Sequence, residues 1–551
     1  MKLFFILLFF FISTTVEAHT FYFSSYIGDD ARTGKDAQNP STPWKSLEKL
    51  NSYFPNLNPG DSILLKRGDE FFGTINISIS GTQGLPITIS AFGNGPKPII
   101  TGFTTINDWV TLGNGVWESV KPVTTSSFLN LVSIGPNVQP IGRYPNLNSL
   151  NKGYLKIRSH ISKNSITDFS SNFTTDWIGG DIVVKTSQYT IDKAKITSTA
   201  GSEISFGKGL TYETPEGSGY FIQNHPATLD DIGEWYFNPK NKKLQIFYGK
   251  NSPPATKVAS LKNLVTASNV SSITLDNIYF SGTNQNIIEI KGTGSGFIIQ
   301  NCDISFSGIS GIFSRGETNL IVEKCNVSNA LNEGISVTDN SIVRECLLRN
   351  IGFIAGMTQN NAGISAINNS GNGSITENNV IKNTGYIGIK FGRINSLVKN
   401  NFIDSFCTIK QDGGAIYAQG KKNEDYSGTK IIDNIVLNGL GAPEGTRTRN
   451  NNSIGIYCDD FLNNIKIEGN TVVNCAVGIY LHNNKSIAVF NNTSYNNSRS
   501  QFQITSDKSD YLTEGLLIEN NIFFSKLPNQ LIFYFASLTN DFDKFGSTEN
   551  N

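Results

Sequence analysis

Most of the chain is built on a repeated alternation of apolar and polar residues. From residue 273 onward an apolar residue, a gap, another apolar residue, two polar or small residues and a further apolar pair recur. The phrases are ITLDNIYF, IIQNCDI, IVEKCNV, IVRECLL, ITENNVI, LVKNNFI, IIDNIV, IKIEGNTVV, IAVFNNTS and LLIENNIFF. A period of two predicts β-strands with one row of side chains inside and one row outside.

The spacing of these phrases indicates a solenoid. Their second small or polar residue falls at Ile278, Cys302, Cys325, Cys346, Asn379, Asn401, Asn434, Asn470, Asn492 and Asn521. Successive steps are 24, 23, 21, 33, 22, 33, 36, 22 and 29 residues, a basic period near 22 interrupted by insertions. Asn at equivalent interior turns can hydrogen-bond its neighbours along such a stack. We therefore expect an all-β chain folded as a right-handed parallel β-helix.

A second column recurs in the same register and defines one outer face. It reads SGIFSR (310–315), EGISVT (333–338), AGISAI (362–367), IGIKFG (387–392), GAIYAQ (414–419), IGIYCD (454–459) and VGIYLH (477–482). Because the Ile of each unit is expected inside, the next residue points outward, at Phe313, Ser336, Ser365, Lys390, Tyr417, Tyr457 and Tyr480. Two positions later a second outward file contains Arg315, Thr338, Ile367, Gly392, Gln419, Asp459 and His482. We expect the chemistry on this face.

The longer coils carry their extra residues next to this face. The insertions are expected at 352–372, 421–426 and 439–452. Insertions in a solenoid leave the stack as loops and often wall a binding cleft, although tolerated surface loops are the alternative.

The chain before the repeat predicts two further modules. Ser41, Thr42 and Pro43 provide an N-cap and first-turn signal for a short helix through Leu50, which would cover the open first coil. Residues 120–262 break the repeat and contain the hairpin-like segment GEWYFNPKNKKLQIFYG (233–249), which favours an inserted small all-β subdomain, a sandwich or a barrel. The expected limits are 1–18 for a targeting segment, 19–119 for the N-terminal cap and first coils, 120–262 for the insert and 263–551 for the main β-helix.

The first 18 residues, MKLFFILLFFFISTTVEA, are typical of a secretory signal peptide. They have a positively charged start, an apolar run and a small-residue cleavage signal that ends at Ala18. The run is too short to span a bilayer comfortably, and the sequence contains no second run of this kind. We expect a secreted or periplasmic protein that is not a membrane protein.

Charge and cysteine content narrow the function classes. The chain has 45 Lys and Arg against 45 Asp and Glu, so it has no electrostatic footprint for nucleic acid. Its six cysteines all lie between Cys302 and Cys475, and three of them occupy the same repeat position, which indicates an interior stack with a disulfide possible inside it. Metal-ligand spacing such as CxxC is absent from the sequence, and we expect a monomer without a metal or another cofactor. The last four residues, TENN, repeat residues 376–379, so the chain is expected to stop where another coil would begin.

Three groups of motifs resemble those of secreted parallel β-helix glycoside hydrolases with an inserted β subdomain. These are the start phrase GDDARTG, PSTPWKSLEKLN and LNPGDSILLKRGDEFFGTI, the insert phrases GRYPN and GEWYFNP, and the coil phrases DGGAIY, GIYCDD and GIYLHN. The similarity covers nearly all of the chain after residue 18. It implies a pectate-lyase-like solenoid that cleaves carbohydrate, as fucosidase-, xylosidase- and galactosidase-like β-helix enzymes do, with paired carboxylates on the exposed sheet.

The residues that match this pattern are candidate catalytic acids. They are Asp412 in QDGGAIY and Asp459 with Asp460 in GIYCDDF, with Glu444 as a fallback from a loop. Glycosidic cleavage needs one protonated carboxyl and one ionised carboxylate. A straight strand would hold Asp412 and Asp459 roughly 20 Å apart, so their cooperation requires a bend that two following glycines make sterically easy.

Other residues of the face are candidates for substrate binding. Tyrosines offer stacking surfaces for sugars, and polar side chains offer hydrogen bonds to hydroxyls. The candidates are Lys390, Arg393, Tyr417, Gln419, Glu424, Tyr457, Tyr480 and His482. His482 could instead tune Asp459.

The expected function is cleavage of a glycosidic bond in a plant or algal polysaccharide or oligosaccharide. One alternative is a polysaccharide lyase, with Lys390 as base and Arg393 or Ca²⁺ neutralising a uronate. Another is a carbohydrate-binding solenoid without catalysis, which would predict uniform coils rather than clustered insertions over a carboxylate-bearing face.

Overall fold

The computed structural model describes residues 17–124, 127–169, 173–207, 209–358, 363–540 and 542–551. The predicted signal segment lies almost entirely outside the described residues. Three long parallel sheets run along the molecule, and most coils contribute one strand to each of them in the order sheet III, sheet I, sheet II. This arrangement confirms the predicted parallel β-helix.

The three sheets are built from short strands. Sheet I contains Thr20–Phe23, Ser62–Lys66, Ile87–Phe92, Ile273–Asp276, Ile298–Gln300, Ile321–Glu323, Ile342–Arg344, Ile375–Glu377, Leu397–Lys399, Lys430–Ile432, Lys466–Glu468, Ala488–Phe490, Leu516–Glu519 and Gly546–Glu549. Sheet II contains Glu70–Phe72, Ile99–Thr101, Tyr279–Thr283, Asp303–Ser307, Asn326–Ala330, Leu347–Ile351, Val380–Thr384, Phe402–Phe406, Ile435–Gly439, Thr471–Val473, Thr493–Tyr495 and Ile522–Phe524. Sheet III contains Ile75–Ile77, Val265–Ser268, Ile288–Ser295, Ile312–Thr318, Ile335–Val337, Ser365–Asn369, Ile387–Phe391, Gly413–Gln419, Ser453–Asp459, Val477–His482, Ser500–Ser506 and Leu531–Ser537.

A ladder of buried amides runs through the corner between sheets I and II. The Asn401 amide donates to Asn434 Oδ1 at 3.0 Å, and the Asn434 amide donates to Asn470 Oδ1 at 2.9 Å. The ladder has the members Asn379, Asn401, Asn434, Asn470, Asn492, Asn521 and Asn551. The amide stacking predicted from the repeat is therefore confirmed.

The residue before each ladder position explains much of the asparagine excess. Asn378, Asn400, Asn491 and Asn520 have φ between 55° and 57°, in the left-handed region. Among residues other than glycine, Asn adopts this conformation most readily because its short polar side chain can hydrogen-bond locally. These coils thus use one asparagine to turn the backbone and a second to bond along the stack, whereas Asp433 and Gly469 make the turn before Asn434 and Asn470.

The predicted cysteine stack continues this corner upstream. Cys302, Cys325 and Cys346 are buried, and their thiols face backbone carbonyls of their own and the preceding coil. All six cysteines are free thiols, so the stack contains no disulfide among the described residues.

A single short α-helix among the described residues covers the first coil. The helix is Leu47–Tyr53, and Leu47 and Leu50 enter the solenoid core. Its N-cap is Ser46, whose side chain accepts from the backbone N–H of Lys49 at 3.0 Å. The helix start predicted at residues 41–43 is therefore wrong, because a side-chain cap four residues later satisfies the first free N–H groups. Short 3-10 turns are Asp36–Gln38, Phe54–Asn56, Leu150–Gly153, Pro226–Thr228 and Phe542–Lys544.

The insert forms a closed barrel and two small sheets. Six antiparallel strands close on themselves in the order Leu155–Ser162, Ser165–Asp168, Glu203–Phe206, Ile191–Ala200, Asp181–Lys185 and Gly219–Gln223, and Arg143–Tyr144 adds to the last of them. One small sheet contains Asn137–Val138, Val132–Ile134, Thr256–Ala259 and Phe103–Ile106. The other contains Trp235–Asn238, Lys243–Phe247, Val116–Ser119 and Trp109–Gly113.

The insert leaves the solenoid earlier than residue 120. Strands Phe103–Ile106 and Val116–Ser119 pair with Thr256–Ala259 and Lys243–Phe247, so they belong to the insert by hydrogen bonding. The two ends of the excursion meet where Ser260 N donates to the Gly102 carbonyl at 2.9 Å. A local pattern does not reveal such long-range pairing. In the part of the chain that the structure covers, no helix has the length and apolar character needed to cross a membrane.

Candidate active site

Asp459 lies at the end of its sheet III strand and accepts four hydrogen bonds. Tyr417 Oη donates to Oδ2 at 3.0 Å, and Tyr457 Oη donates to Oδ1 at 3.2 Å. His482 Nδ1 lies 2.9 Å from Oδ1, and the backbone N–H of Asp460 donates to Oδ1 at 2.9 Å. Burial opposes ionisation, but the hydrogen bonds from His482 and Asp460 hold the pKa of Asp459 below its ordinary value. Asp459 is therefore an ionised carboxylate.

His482 bridges two aspartates. Its Nδ1 contacts Asp459, and its Nε2 lies 3.2 Å from Asp507 Oδ1. Burial disfavours the charged ring, yet the hydrogen bonds and charges of these aspartates raise the pKa of His482 to about 9. At neutral pH the ring is thus an imidazolium that donates from both nitrogens.

The same cluster has the spacing of a metal site. Asp459, Asp460 and His482 each offer one ligand atom, and these atoms lie within 4.8 Å of one another. An imidazolium has no lone pair for a metal ion. A metal ion would therefore have to displace the proton that His482 Nδ1 shares with Asp459.

Asp412 lies just before the neighbouring sheet III strand. Its backbone N–H donates to the Asn452 carbonyl at 2.7 Å, and its own carbonyl accepts from Tyr386 Oη at 2.7 Å. Burial first, and then the charge of Asp459, raise the pKa of Asp412 to about 6. A carboxyl with this pKa holds a proton under mildly acidic conditions, whereas Asp459 does not.

The chain turns at Asp412, and the charge of Asp459 acts on the Asp412 carboxyl. Asp412 is paired with Asn452, seven residues before Asp459, yet the Asp459 charge reaches its carboxyl. Asp412 has a φ of 61°, in the left-handed region. A Cβ on Gly413 would lie 2.2 Å from the ring of Tyr386, so glycine is required where the chain turns.

Asp412 lines a pocket of about 310 Å³. Residues 185–189 of the barrel form one wall, and residues 446–448 of the predicted 439–452 insertion form another. The insertion therefore does wall a cleft beside the outer face. Asp412 lines this pocket. Asp459 and its hydrogen-bond partners lie beside it on sheet III.

Hydrogen bonds tie the barrel to the segment that carries Asp412. Gln411 donates from its backbone N–H to the Gln188 carbonyl at 2.9 Å, and its Oε1 accepts from Ala442 N and Asn452 N at 3.2 Å each. Lys185 Nζ donates to the carbonyls of Ile409, Ala442 and Glu444 at 3.2, 2.6 and 3.1 Å. The barrel thus fixes the backbone around Asp412.

The three predicted tyrosines pack on one another. The rings of Tyr457 and Tyr480 stack with centroids 4.8 Å apart, and those of Tyr417 and Tyr457 meet edge to face at 5.4 Å. Tyr457 is only 5% exposed. The prediction of an open stacking surface is therefore wrong for Tyr457, which instead directs its hydroxyl to Asp459.

Three predicted residues lie apart from the aspartate pair. Glu444 pairs with Lys152 at 3.2 Å and lines a different, larger cavity. Arg393 Nη2 and Lys421 Nζ each lie 3.6 Å from Glu424 Oε1. These three side chains form a charge cluster at the far end of the strands. Lys390 lies between Asn368 and Tyr417 in the outward file. Gln419 is exposed and pairs with Asp459 across the strands. Lys390 and Gln419 therefore stay beside the site.

The two residues predicted for a lyase have different partners. Arg393 pairs with Glu424, while the charge of Lys390 acts on the half-buried Glu333, whose pKa burial raises. Asp460 accepts from the Asn483 amide at 2.7 Å and lies 3.5 Å from Lys508 Nζ, which is a supporting position next to Asp459.

The outward file needs one correction. Ile335 pairs with Ile367, and Ser336 pairs with Asn368, so the outward residue of that coil is Asn368 rather than Ser365. Ile367 is buried and points inward instead of belonging to the second file. The unit 362–367 contains two isoleucines three residues apart, and a period of two fits only one of them.

Sequence reasoning missed several residues that complete the site. Arg499 donates to Asn452 Oδ1 at 3.0 Å, and its charge acts on Asp412. Extending the register by one coil would have found Arg499, which precedes a sheet III strand. Lys185, Gln188 and Tyr189 come from the barrel, and the repeat carries no signal for them.

A second, larger cavity of about 670 Å³ lies between the barrel and the solenoid. Its acidic side chains are already engaged. Glu234, whose pKa burial raises to about 7, accepts from the backbone N–H groups of Arg143, Asp230 and Asp231. Glu444 is in its ion pair with Lys152. The aspartate pair is therefore the better candidate for acid and base chemistry.

Comparisons with known proteins agree with this fold. A family described as a right handed beta helix region matches residues 256–403, which agrees with the predicted handedness. A solved glycoside hydrolase structure superposes with a TM-score of 0.61 at 13% identity, over 96% of this chain and 99% of its own. The expected likeness to β-helix glycoside hydrolases is thus confirmed as a likeness of fold.

A local sequence match adds one named relative. Lacto-N-biosidase from Bifidobacterium longum subsp. longum is 44% identical over 93 residues. The match covers 16% of this chain and 6% of that protein. This chain therefore matches only a small part of the relative's length.

Proposed function

We propose that this protein is a glycoside hydrolase with Asp412 as general acid and Asp459 as the ionised partner. The observation that carries the proposal is the opposite direction of the two pKa shifts in neighbouring carboxyls, to about 6 for Asp412 and below the ordinary value for Asp459. Pairs of acids whose surroundings separate their pKa values are the usual signature of acid and base roles in glycosidases.

The proposed chemistry follows from these protonation states. Asp412 gives its proton to the glycosidic oxygen as the bond to the anomeric carbon breaks, and the leaving group departs as an alcohol. The Asp459 carboxylate either bonds to the anomeric carbon or takes a proton from the attacking water. His482 and the two tyrosine hydroxyls on Asp459 keep it ionised and oriented.

The substrate is proposed to be a plant or algal polysaccharide or oligosaccharide cleaved at or near a terminal sugar. Support comes from the pocket beside Asp412, whose volume of about 310 Å³ suits one or two sugar rings rather than a long chain in an open groove. The match to lacto-N-biosidase adds the substrates of that enzyme to those worth testing. We also propose export through the predicted signal peptide and action as a monomer.

The test replaces each aspartate by its amide. Asp412→Asn and Asp459→Asn should each lower sugar release from a mixed glycan panel by about 10²–10⁴-fold. Asp425→Asn is the matched control, because Asp425 is an exposed aspartate that bonds to Ser427 and Asn464 near the far end of the strands.

Two results would overturn the proposal. One is full sugar release by both amide variants with unchanged thermal unfolding. The other is a product that absorbs in the ultraviolet as an unsaturated uronate, which would assign the lyase reaction instead.

A further inference from the structure

The larger cavity adjoins the Asp412 pocket. Three chain segments contribute to both: 185–189 of the barrel, 408–412 of the solenoid and 442–448 of the insertion. Lys185 lines both spaces, and its ammonium is bonded to carbonyls of the other two segments. The two spaces are therefore neighbours with Lys185 between them.

The cavity walls are mainly apolar. Ile141 and Leu147 come from the insert, Phe353, Ile354 and Met357 from the 352–358 segment, and Ile409 from the coil that leads to Asp412. A volume of about 670 Å³ accommodates a group of one or two rings. Apolar walls favour an apolar occupant because its burial removes nonpolar surface from water.

Five charged side chains of the cavity lining already have protein partners. Arg143 donates to the carbonyls of Pro145, Lys152 and Gly153, and its guanidinium lies 3.6 Å from the ring centroid of Phe221. Glu234 and Lys185 are saturated by backbone groups, and Lys152 is paired with Glu444. A sugar ring would bring several hydroxyls to walls that offer few partners.

We propose that this cavity binds the apolar leaving group of a glycoside, such as an aryl alcohol. This inference rests on the proposed glycosidase function. A general acid must lie on the side of the leaving group. Asp412 lines the pocket, Ile409 of the same segment lines the cavity, and Lys185 lines both, whereas Asp459 has its own partners on sheet III. The sugar would lie between the aspartates, and the aglycone would extend past Lys185.

The first experiment measures binding without catalysis. 4-Nitrophenol is titrated into the wild-type protein and into Ala355→Trp, which fills the cavity from the wall beside Phe353 and Ile409. Calorimetry should give a dissociation constant in the millimolar range for the wild type and at least a tenfold weaker one for the variant. Ala200→Trp is the matched control, because Ala200 is exposed on the same barrel and should change the constant less than twofold.

A second variant tests the same cavity in case Ala355→Trp does not fold. Phe353→Ala enlarges the cavity, so it should shift preference at least threefold from 4-nitrophenol toward the larger 2-naphthol. Thermal unfolding of each variant is recorded alongside. Absence of 4-nitrophenol binding to the wild type, equal binding by Ala355→Trp, or displacement of 4-nitrophenol by free xylose would overturn the apolar site.

A kinetic experiment distinguishes the proposed leaving-group role of the cavity from the proposed glycosidase function. For whichever sugar is released, the ratio of kcat/KM for the aryl glycoside to that for the methyl glycoside should fall at least tenfold in Ala355→Trp and stay within twofold in Ala200→Trp. An unchanged ratio in Ala355→Trp would overturn the leaving-group role. If 4-nitrophenol binds as expected but no glycoside is cleaved, the glycosidase function and the leaving-group role both fall, while the apolar site stands.

Discussion

Asp412 and Asp459 have the same side chain, but their surroundings give them opposite acidities. Asp412 is surrounded by protein and feels a neighbouring negative charge, both of which favour its protonated form. Asp459 accepts hydrogen bonds from an imidazolium, two tyrosines and a backbone N–H, which favour its ionised form. At the scale of single residues the site is therefore a proton donor beside a carboxylate.

This pairing predicts the pH profile of activity. Asp412 must be protonated, so kcat/KM should fall about tenfold per pH unit as the pH rises above about 6. Asp459 must be ionised, so the acidic decline should lie below its ordinary value of 3.8. The measurement is a profile from pH 3 to 9 on an aryl glycoside. Activity that rises through pH 6–8 would contradict the assignment of Asp412 as the acid.

The elements of the solenoid are held by columns that run across coils. Asn434 shows how one ladder member works: its amide donates to the Val398 carbonyl at 3.0 Å and to Asn470, and its Oδ1 accepts from the backbone N–H of Asn401 at 2.9 Å. All of these groups are buried, so each bond replaces one that water would otherwise make.

Removing one ladder member should destabilise the stack. Asn434→Ala leaves the buried backbone N–H of Asn401 without this partner and removes the bonds to the Val398 carbonyl and to Asn470 Oδ1. We expect a loss of about 2–4 kcal/mol in the free energy of unfolding. Denaturant unfolding measures it. Asn326→Ala is the control, because its amide bonds to Asp303 at an exposed strand start and should cost less than about 1 kcal/mol. Equal losses would show that the ladder carries no special stability.

Lys185 links the barrel to the two segments around Asp412, which are far from it in the sequence. It should therefore act on Asp412 by positioning the backbone around it. Lys185→Met removes the three bonds that hold the segments around Asp412. Water would then reach Asp412, and since burial is the largest cause of its raised pKa, that pKa should fall from about 6 toward 3.8. We expect the alkaline decline of the pH profile to move to lower pH and kcat to fall roughly 10–100-fold.

A nearby lysine provides the comparison for Lys185. Lys193 also bridges the barrel to the solenoid, with its Nζ donating to the Gly356 carbonyl at 3.2 Å. Lys193→Met should cost stability but leave the pKa of Asp412 unchanged. The pKa is followed by carbon NMR of labelled aspartate, with Asp412→Asn to identify the signal. The same shift in both variants would mean that Lys185 has a general structural role only.

At the scale of the whole molecule, one solenoid supplies the carboxylates and one insert closes the site. The solenoid core runs from Phe21 to Phe545 without a break, and the barrel has its own core around Ile157 and Tyr220. Where the two meet, the insert contributes walls and hydrogen bonds but not the proposed acid or its partner. This division allows the insert to vary substrate choice while the solenoid retains the chemistry.

The proposed export and removal of residues 1–18 would place the new N-terminus beside the first strand. His19 N donates to Oδ1 of the buried Asp61 at 2.7 Å, and sheet I begins at the next residue. Cleavage after Ala18 would turn this N–H into a charged amine and strengthen the bond. Mass spectrometry of the exported protein should give a chain that starts at His19. An intact residue 1, or cleavage beyond residue 20, would contradict the prediction.

Replacement of Asp61 provides a stability test of the predicted cleavage after Ala18. Asp61→Asn should destabilise the cleaved protein by about 1–2 kcal/mol more than a form that retains residues 1–18, because only the cleaved form has an amine to pair with the carboxylate. Equal destabilisation of both forms would show that His19 N keeps its amide character.

The sequence by itself determined the coil. Alternation within each phrase sets which side chains face inward, and a repeat near 22 residues sets where each strand returns, so the parallel β-helix and most of the outward file follow from local pattern alone. The predicted outward file is wrong at residues 362–367. Two isoleucines there allow two frames, and only the pairing of Ile367 with Ile335 and Ile389 selects one of them.

Only the tertiary structure decided how the site is assembled. The bend at Asp412 depends on Tyr386 and Asn452, and the pocket depends on a barrel that folds more than 200 residues earlier in the chain. The pKa difference between Asp412 and Asp459 likewise arises from burial and neighbours that linear spacing does not encode. Local periodicity reports which face a residue occupies, whereas acidity and pocket shape depend on contacts between segments that are distant in the sequence.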